Sequence, residues 1–275
     1  MSGLSSYAGI AAVVTGASSG IGKLLAQRLA KGGARVALVA RRADRLAELA
    51  DEIKALGGKP LVLPCDVAER SQVEAAAAQA LDEFGSVDLL INNAGYGHHR
   101  TFLEWDVEDI ERMMRVNYMG TVYWTKALLP QMVERQRGWL IFISSVAGKL
   151  GVPEESAYAA SKFAIVGLAE ALSYEIESAG VHTLTVCPGS IRTDFFDEEA
   201  LRRMPPVARR MMAEPEGLVD AILEALASGK REITYPRFIS SGYVVRALAP
   251  AFMRRMTTRQ TVAALEKMRG KTEQP

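Results

Sequence analysis

The sequence TGASSGIG at residues 15–22 follows a short apolar run, Ala11–Thr15, and begins a helical pattern, Gly22–Lys31. A glycine-rich turn between a strand and a helix lets the backbone approach a dinucleotide pyrophosphate, and the helix N-terminus offers unpaired N–H donors to the phosphates. Glycines alone are weak evidence, because any tight turn requires them for its geometry. The position of this G-x-x-x-G-x-G turn, directly after the first strand and before a helix, is what indicates a cofactor-binding turn. The predicted cofactor-binding residues here are Gly16, Ser18, Ser19, Gly20, Ile21 and Gly22.

On the C-terminal side of this turn, β-branched apolar runs alternate with longer helical patterns. The alternation predicts βαβ units, and nearly continuous apolar runs indicate strands buried on both faces. We therefore expect an α/β fold, a doubly wound parallel sheet in a single domain over residues 1–275. The predicted strands are Ala11–Thr15, Arg35–Ala40, Pro60–Pro64, Val87–Asn92, Trp139–Ser144, His182–Cys187 and Glu232–Tyr235. The predicted helices are Gly22–Lys31, Ala43–Leu56, Ser71–Phe84, Val107–Arg135, Ala157–Ser178 and Glu216–Leu226.

The composition is that of a soluble globular protein, with 49% apolar and 24% charged residues. No apolar run approaches the roughly 20 residues that span a bilayer, and the first residues lack the basic and apolar regions of a signal peptide. Cys65 and Cys187 are too few for a disulfide framework and suit a reducing compartment. These features predict a cytoplasmic protein, and no nucleic-acid partner is expected.

The C-terminal segment, residues 236–275, is basic and interleaves apolar side chains with arginines. Between Lys230 and Pro275, ten Lys and Arg residues stand against three Asp and Glu, although the whole chain has a net charge of +1. This excess favours an anionic partner such as a membrane surface, and the alternative is a solvated helical face. Pro250 interrupts a continuous helix. A peripheral membrane contact, a dimer contact and a cover over the substrate pocket are the hypotheses for the segment.

The second predicted strand ends at Val39-Ala40-Arg41-Arg42, without an acidic residue. An Asp or Glu there would bind the ribose hydroxyls of NAD, whereas an arginine pairs bidentately with the 2′-phosphate of NADP. Asp44, the nearest carboxylate, falls in the next helix as a candidate N-cap. The pattern predicts a preference for NADP(H), with Arg41 as the main contact and Arg42 as the second. NAD(H) is the alternative, if both arginines merely begin a solvated helix.

Polar residues with a chemical use follow the later strands. Asn92-Asn93-Ala94-Gly95 comes after the fourth strand and Ser144-Ser145 after the fifth. Tyr158 and Lys162, four residues apart, share one helix face. A neighbouring ammonium lowers the pKa of a phenol from about 10, so that Tyr158 can exchange a proton with a carbonyl or alcohol oxygen held by Ser145. The Y-x-x-x-K spacing is common on helices, and its combination with the other motifs indicates hydride-transfer chemistry.

The motifs TGASSGIG, NNAG, VNYMG, ISSVAG, YAASK and CPGSIRT, in this order within residues 10–193, resemble the short-chain dehydrogenase/reductase family. The resemblance implies a Rossmann-like fold with about seven strands, an NAD(P)-dependent oxidoreductase, and a homodimer or homotetramer. It assigns a catalytic tetrad of Asn117, Ser145, Tyr158 and Lys162, in which Asn117 holds a water in a proton relay through Lys162. NADP-preferring members often carry a basic residue where Ser19 stands. Tyr158 and Lys162 also count among the cofactor-binding residues that the resemblance implies, together with Asp66, Val67, Asn93, Ala94, Gly95, Pro188, Gly189, Ile191 and Thr193.

Residues 194–214 mix aromatic, methionine and arginine side chains and are predicted to form a lid over the substrate. Phe195, Phe196, Met204, Met211 and Met212 favour an apolar substrate, although lid residues of this kind also cover a core. We therefore predict NADP(H)-dependent reduction of an apolar or lipid-like ketone, or oxidation of the secondary alcohol, with the tyrosine of the tetrad as acid and base. The alternatives are a 3-oxoacyl thioester reductase and, from another class, a non-catalytic NADP(H) sensor or interaction protein.

The histidines and cysteines have structural interpretations. His98 and His99 are interpreted as solvent-exposed loop residues, with the substrate entrance as the alternative. No third ligand at suitable spacing accompanies them, so no metal site is predicted. Cys65 and Cys187 are expected to pack in the core.

Overall fold

The computed structural model describes residues 3–204, 209–259 and 262. Seven parallel strands form one sheet in the order β3-β2-β1-β4-β5-β6-β7, which confirms the doubly wound α/β fold. The strands are β1 (Ala11–Thr15), β2 (Arg35–Ala40), β3 (Lys59–Pro64), β4 (Leu89–Asn92), β5 (Gly138–Ile143), β6 (Val181–Pro188) and β7 (Glu232–Tyr235). The described α-helices include α1 (Gly20–Lys31), α2 (Ala43–Ala55), α3 (Arg70–Phe84), α4 (Val107–Met114), α5 (Gly120–Glu134), α6 (Ser156–Ile176), α7 (Glu198–Arg203), α8 (Pro215–Ala227) and α9 (Ser241–Leu248).

Two apolar layers hold the sheet between its helices. On one face, leucines such as Leu25 of α1 and Leu49 of α2 pack with Ile222 of α8 against the strands. On the other face, α3, α5 and α6 supply a second cluster that includes Trp124 and Ile165. The central strands are therefore buried on both sides, which is why they contain uninterrupted apolar runs instead of an alternating pattern.

The predicted helix Val107–Arg135 is wrong in one respect, because the structure divides it. Helix α4 ends at Met114, a π-helical turn occupies Arg115–Met119, and α5 begins at Gly120. A π-turn inserts a residue into the α-helical ladder and shifts the face that the following side chains share. Here the shifted residue is Asn117, which is fully buried. The bounds of the other predicted elements differ from the observed ones by at most two residues, and those of β1, β2 and β7 coincide.

The carboxyl ends of β1, β4, β5 and β6 meet at one edge of the sheet. Strand order reverses beside β1, since the chain runs outward through β2 and β3 and then returns to β4 on the other side. In doubly wound sheets the ligand crevice lies at such a reversal, outside the carboxyl ends of the strands. The fold therefore brings the first glycine-rich turn and the tyrosine helix α6 to the same crevice.

The C-terminal segment forms two short helices, α9 and residues 250–259, which are separated at Ala249. The predicted break is thus observed directly before Pro250. The predictions for residues 260, 261 and 263–275 of this segment, and for residues 205–208 of the lid, fall outside the described residues. Among the helices that the structure describes, none is long and apolar enough to cross a membrane.

Candidate active site

The glycine-rich turn is shaped so that side chains would obstruct it. Gly16 and Gly20 have φ angles of +68° and +55°, which L-residues with side chains rarely adopt. A Cβ on Gly16 would lie 2.8 Å from Asn93 Nδ2, and a Cβ on Gly22 would lie 2.4 Å from the Gly16 carbonyl oxygen. The turn is therefore packed against the end of β4, and its backbone is open to the crevice at the start of α1.

Hydrogen bonds from the end of β4 fix this turn. The backbone N–H groups of Asn93 and Ala94 donate to Thr15 Oγ1 at 2.9 and 3.0 Å. Asn93 Nδ2 donates to the Thr15 carbonyl oxygen at 2.9 Å. The hydroxyl of Thr15 donates in turn to the Ile91 carbonyl oxygen at 3.1 Å. Asn93 thus acts as a brace between two strands, as the family resemblance implies, and it also lines the crevice.

Arg42, which the sequence ranked second, contacts the turn directly. Its guanidinium donates to Ser18 Oγ at 2.9 Å and to Ser19 Oγ at 3.0 Å. Arg41 also lines the crevice, and within the described residues no hydrogen bond or ion pair is recorded for its side chain. Asp44 lies in the first turn of α2. Two guanidinium groups therefore border the crevice where the second strand ends, and neither pairs with a carboxylate of the described residues.

Asp66 and Val67 form the neighbouring wall. The Asp66 carboxylate accepts a hydrogen bond from the Ala68 N–H at 3.0 Å and pairs with Arg112 at 2.5 Å. Val67 is buried beneath it, and a Cβ on Gly120 would meet the Val67 side chain at 2.9 Å. This wall is consequently fixed to both α4 and α5, and it gives the crevice one acidic and one apolar lining group.

Tyr158 and Lys162 lie on one face of α6 at the floor of the crevice. Both are buried, and Lys162 Nζ lies 5.6 Å from the Tyr158 ring centre. Lys162 Nζ donates to the Ile143 carbonyl oxygen at 2.9 Å, and no carboxylate among the described residues pairs with it. Ser145 Oγ accepts from the Ala147 N–H at 3.1 Å and donates to the Pro188 carbonyl oxygen at 3.4 Å, which holds the hydroxyl beside the phenol.

Burial controls the protonation of this pair. It raises the pKa of Tyr158 well above its usual range, with the nearby Glu155 carboxyl acting in the same direction and Ser145 opposing it. Burial lowers the pKa of Lys162 to about 8. At neutral pH the phenol is therefore protonated and the amine is largely an ammonium. This state is suited to donating a proton to an oxygen that becomes negative.

Asn117 lies behind the floor, held by the π-turn. Its amide donates to the Tyr96 carbonyl oxygen at 2.8 Å and to Ser161 Oγ at 3.0 Å, and its Oδ1 accepts from the Tyr96 N–H at 2.9 Å. A Cβ on Gly95 would lie 3.1 Å from Asn117 Oδ1 and 3.3 Å from Lys162 Nζ. The four predicted catalytic residues are thus close together, although Asn117 does not itself line the crevice.

The far rim comes from the end of β6. Pro188, Gly189, Ile191 and Thr193 all line the crevice. A Cβ on Gly20 would lie 3.4 Å from Thr193 Cβ, so this rim approaches the first turn across the crevice. Ile191 pairs with Ala213 in an isolated parallel bridge, which ties the rim to the end of the lid.

The described part of the lid covers Tyr158. The Phe195 ring lies 5.6 Å from the Tyr158 ring and 5.1 Å from the Phe196 ring. Arg203 forms two hydrogen bonds of 3.1 Å with the Glu104 carboxylate, which fastens α7 to the loop after β4. Met204 and Met212 are buried, whereas Met211 is exposed. The lid therefore brings aromatic surface to the proton donor and uses two of its methionines for packing.

The histidine interpretation needs a correction. His98 is partly exposed and lies 3.7 Å from Asp197, whereas the His99 side chain is only 13% exposed and its Nε2 lies 3.1 Å from Glu155 Oε1. His99 is therefore largely shielded from solvent, because Phe196 of the lid and Glu155 at the start of α6 lie against it. Glu155 also lines the crevice, although it is not among the site residues predicted from the sequence. Its position three residues before Tyr158, on the same helix face, was the available signal.

The predicted residues form one cleft of about 760 Å³. All of them line it except Gly22 and Asn117, which support it from behind. This cleft fits an extended nicotinamide dinucleotide. Its glycine-rich turn would be obstructed by a Cβ at Gly16, guanidinium groups border one end, and the buried phenol–amine pair lies near the other. Among the residues that the structure describes, no group of three or more His, Cys, Asp or Glu side chains is arranged to hold a metal ion.

Comparisons with known proteins identify the family. A family model described as short chain dehydrogenase matches residues 10–203. The chain belongs to the short-chain dehydrogenase family. The resemblance inferred from the motifs is thereby confirmed, and this short-chain dehydrogenase is an oxidoreductase that acts on CH–OH groups.

Similar proteins include two curated reductases. A ketoacyl reductase HetN of Nostoc sp. is 34% identical over 230 residues, which cover 84% of this chain and 79% of that protein. A 3-ketodihydrosphingosine reductase of Bos taurus is 36% identical over 247 residues, which cover 86% of this chain and 73% of that protein. Both names describe reductases of ketone-bearing compounds.

Two solved structures share the fold of this short-chain dehydrogenase. A short-chain dehydrogenase/reductase from Burkholderia phymatum in complex with NAD is 28% identical, with a TM-score of 0.81 and coverage of 89% of this chain and 95% of that one. A metagenomic short-chain oxidoreductase in complex with NADP is 30% identical, with a TM-score of 0.71 and coverage of 83% and 96%. Relatives with this fold therefore bind either nicotinamide cofactor.

Proposed function

We propose that this short-chain dehydrogenase uses NADP(H) to reduce the ketone of an apolar, lipid-like substrate, and that it also catalyses the reverse oxidation of the secondary alcohol. The observation that carries the proposal is the buried, protonated Tyr158, which lies between Lys162, Ser145 and the ring of Phe195. A proton donor under an aromatic lid is suited to a ketone with apolar substituents. The similar ketoacyl and 3-ketodihydrosphingosine reductases support the same class of substrate.

The reduced cofactor supplies the hydride that adds to the carbonyl carbon. Ser145 and Tyr158 hold the carbonyl oxygen, and Tyr158 donates its proton as negative charge develops there. Lys162 stabilises the phenolate that forms, because its ammonium lies 5.6 Å from the ring centre. Phe195 excludes water from the same place. The products are a secondary alcohol and the oxidised cofactor, and the proton returns to Tyr158 from solvent.

Support for NADP(H) comes from Arg41 and Arg42. Both border the cleft beyond the end of β2, and no acidic residue occupies that end. Because Arg42 already contacts Ser18 and Ser19, we propose it as the contact to the 2′-phosphate nearest the turn, with Arg41 as the outer contact. Replacement of each arginine by Asp is expected to lower the NADPH/NADH ratio of kcat/KM. An unchanged ratio in both variants would refute the assignment and favour NAD(H).

The proposed reaction is tested with purified protein, NADPH and a series of ketones of increasing chain length. We expect secondary-alcohol product and a kcat/KM that rises with chain length. A preference for small polar ketones would contradict the lipid-like substrate. A 3-oxoacyl thioester reductase is the second candidate, favoured by the similarity to the ketoacyl reductase. Faster turnover of an acyl thioester than of a free ketone of equal length would establish it. A non-catalytic sensor would bind NADPH and convert none of these compounds.

We also propose that the C-terminal segment contacts an anionic membrane surface. In α9, Val244 and Leu248 are 57% and 82% exposed, and in residues 250–259 Phe252 and Met256 are 61% and 39% exposed. Each pair is spaced by four residues, so each helix presents one apolar stripe. The described part of the segment after Glu232 contains arginines such as Arg254 and no acidic residue. An apolar stripe with basic flanks is typical of helices that lie in a membrane interface.

Vesicle binding tests this contact. Full-length protein is expected to co-sediment with vesicles rich in anionic phospholipid and to bind neutral vesicles less. Leu248→Asp together with Phe252→Asp should abolish binding, whereas Leu56→Asp, at an exposed site on another face, should not. Equal binding by wild type and the double variant would refute the membrane contact. If the double variant instead changes the size of the protein in solution, the segment is a contact between copies.

Two broader expectations remain proposals. The two cysteines are buried and unpaired, which supports action in a reducing compartment such as the cytoplasm. A homodimer or homotetramer is proposed by resemblance to the family. Light scattering during size-exclusion chromatography measures the oligomeric state, and a monomer at working concentration would refute the homodimer or homotetramer.

A further inference from the structure

Glu155 occupies a position in the cleft that the proposed reaction does not use. It is the residue immediately before α6, and its carbonyl oxygen accepts the Ala159 N–H at 2.7 Å, so it belongs to the first turn of that helix. Tyr158 follows three residues later, and side chains at this spacing are about 5–6 Å apart at Cβ. Glu155 therefore lies beside the proton donor and lines the same cleft.

The Glu155 carboxyl is nearly enclosed and has few partners. Its side chain is 15% exposed, and within the described residues its only recorded side-chain contact is His99 Nε2 at 3.1 Å. A carboxylate accepts about four hydrogen bonds, so one histidine leaves most of its capacity unused. Burial and the neighbouring Glu154 raise the pKa of Glu155 to about 7. A ligand that donates a hydrogen bond there would relieve the burial of the carboxylate.

The Glu155 carboxyl lies close to the aromatic side chains of the lid. The Phe196 ring lies 6.1 Å from the His99 ring, and Phe195 covers Tyr158. Arg203, a cation of the lid, pairs with Glu104 and Glu199. His98 Nδ1 lies 3.7 Å from Asp197 Oδ2, and both residues also line the cleft. No described cation pairs directly with Glu155 unless His99 is protonated, and burial lowers the pKa of His99.

We propose that Glu155, held by His99, is a substrate-binding residue that accepts a hydrogen bond from an ammonium or hydroxyl group on the carbon next to the ketone. The inference rests on the proposed reduction of a ketone and adds a polar requirement to an otherwise apolar substrate. Tyr158 fixes the carbonyl oxygen, and Glu155 fixes the neighbouring donor. Together they determine which face of the ketone the substrate presents to the cofactor.

The test uses three ketones of the same chain length: one with a 2-amino group, one with a 2-hydroxyl group and one with neither. The readout is the ratio of kcat/KM between each donor-bearing ketone and the plain ketone, with NADPH and the full-length protein. A hydrogen bond to a charged acceptor corresponds to about a tenfold to hundredfold preference. Wild type is expected to show this preference for at least one donor, and Glu155→Gln should reduce it to about threefold or less. Glu154→Gln, which changes the adjacent carboxyl outside the cleft, should retain it.

The ratio separates binding from a structural role, because loss of a merely structural contact lowers kcat/KM for all three ketones equally. Preference for the 2-amino ketone alone shows that Glu155 binds an ammonium group. Equal preference for both donor-bearing ketones shows that Glu155 accepts a hydrogen bond from either group. Equal kcat/KM for all three ketones in wild type overturns the proposal and leaves the proposed ketone reduction intact. A retained preference in Glu155→Gln also overturns it. If wild type binds NADPH and reduces none of the ketones, the proposed function itself fails.

Discussion

Replacing Lys162 with Met should lower kcat and stabilise the protein. The ammonium lies 5.6 Å from the Tyr158 ring centre, and at an effective dielectric constant of about 20 this corresponds to about 3 kcal/mol of attraction for a phenolate. That energy equals about two pKa units. Since phenolate character develops as the proton leaves Tyr158, kcat should fall about 100-fold in Lys162→Met.

The same substitution removes a buried charge. The pKa of Lys162 is lowered from 10.5 to about 8 by burial, so the unfolded chain binds the proton more tightly than the folded protein. This difference costs about 3 kcal/mol of stability below pH 8 and fades as pH rises from about 8 towards 10.5. Methionine avoids that cost but leaves the Ile143 carbonyl oxygen without its donor, a loss of about 1–3 kcal/mol. We expect a net gain of about 1 kcal/mol at pH 7, or about 2–4 °C in Tm.

The assays are kcat with NADPH and a long-chain ketone, NADPH binding by fluorescence titration, and Tm at pH 7 and pH 10. Lys126→Met, at an exposed position on α5, is the control and should change none of them appreciably. The advantage of Lys162→Met in Tm should shrink between pH 7 and pH 10, because wild type gains stability there. A fall in kcat of less than threefold, or a lower Tm at pH 7, would refute the reasoning.

Three further substitutions or treatments test the surroundings of the site. Gly97→Ala would bring a Cβ to 2.7 Å from Tyr158 Cδ2. We therefore expect kcat/KM for long-chain ketones to fall at least tenfold while NADPH affinity is retained. Unchanged ketone kinetics would contradict the close contact. Arg203→Met breaks the double hydrogen bond to Glu104 and should raise KM for the ketone about twofold to fivefold, as expected for a partly exposed ion pair. An unaltered KM would mean that the Arg203–Glu104 pair does not hold the lid in place. Burial raises the pKa of Cys187 to about 12, so a thiol-alkylating reagent at pH 7 should not inactivate the folded enzyme; rapid inactivation that follows labelling of Cys187 would contradict its burial.

Local patterns were sufficient to predict the framework of this protein. The strands beside β1 are covered on both faces, and burial of that kind requires uninterrupted apolar runs that the sequence displays directly. The pairing of Tyr158 with Lys162 follows from helix geometry, since four residues complete about one turn. Ser145 and the glycine-rich turn lie next to strand ends, so the parallel sheet alone brings them to one edge.

Features that depend on distant contacts were not predictable in this way. The π-turn at Arg115–Met119 interrupts a helical pattern that carries no Gly or Pro at that point. Arg42 reaches Ser18 and Ser19 because β2 lies beside β1, and residue order alone does not distinguish it from Arg41. The burial of His99 against Glu155 depends on a lid and a helix start that are far apart in sequence.

The central claim is that Tyr158 gives its proton to a ketone oxygen while NADPH is oxidised. The most direct measurement is the single-turnover rate of NADPH oxidation, with identification of the product, for wild type and Tyr158→Phe on the same long-chain ketone. We expect wild type to form the secondary alcohol, and the variant, saturated with NADPH, to react about 100- to 10,000-fold more slowly. Equal rates in the two proteins, or NADPH oxidation without the alcohol, would contradict the account.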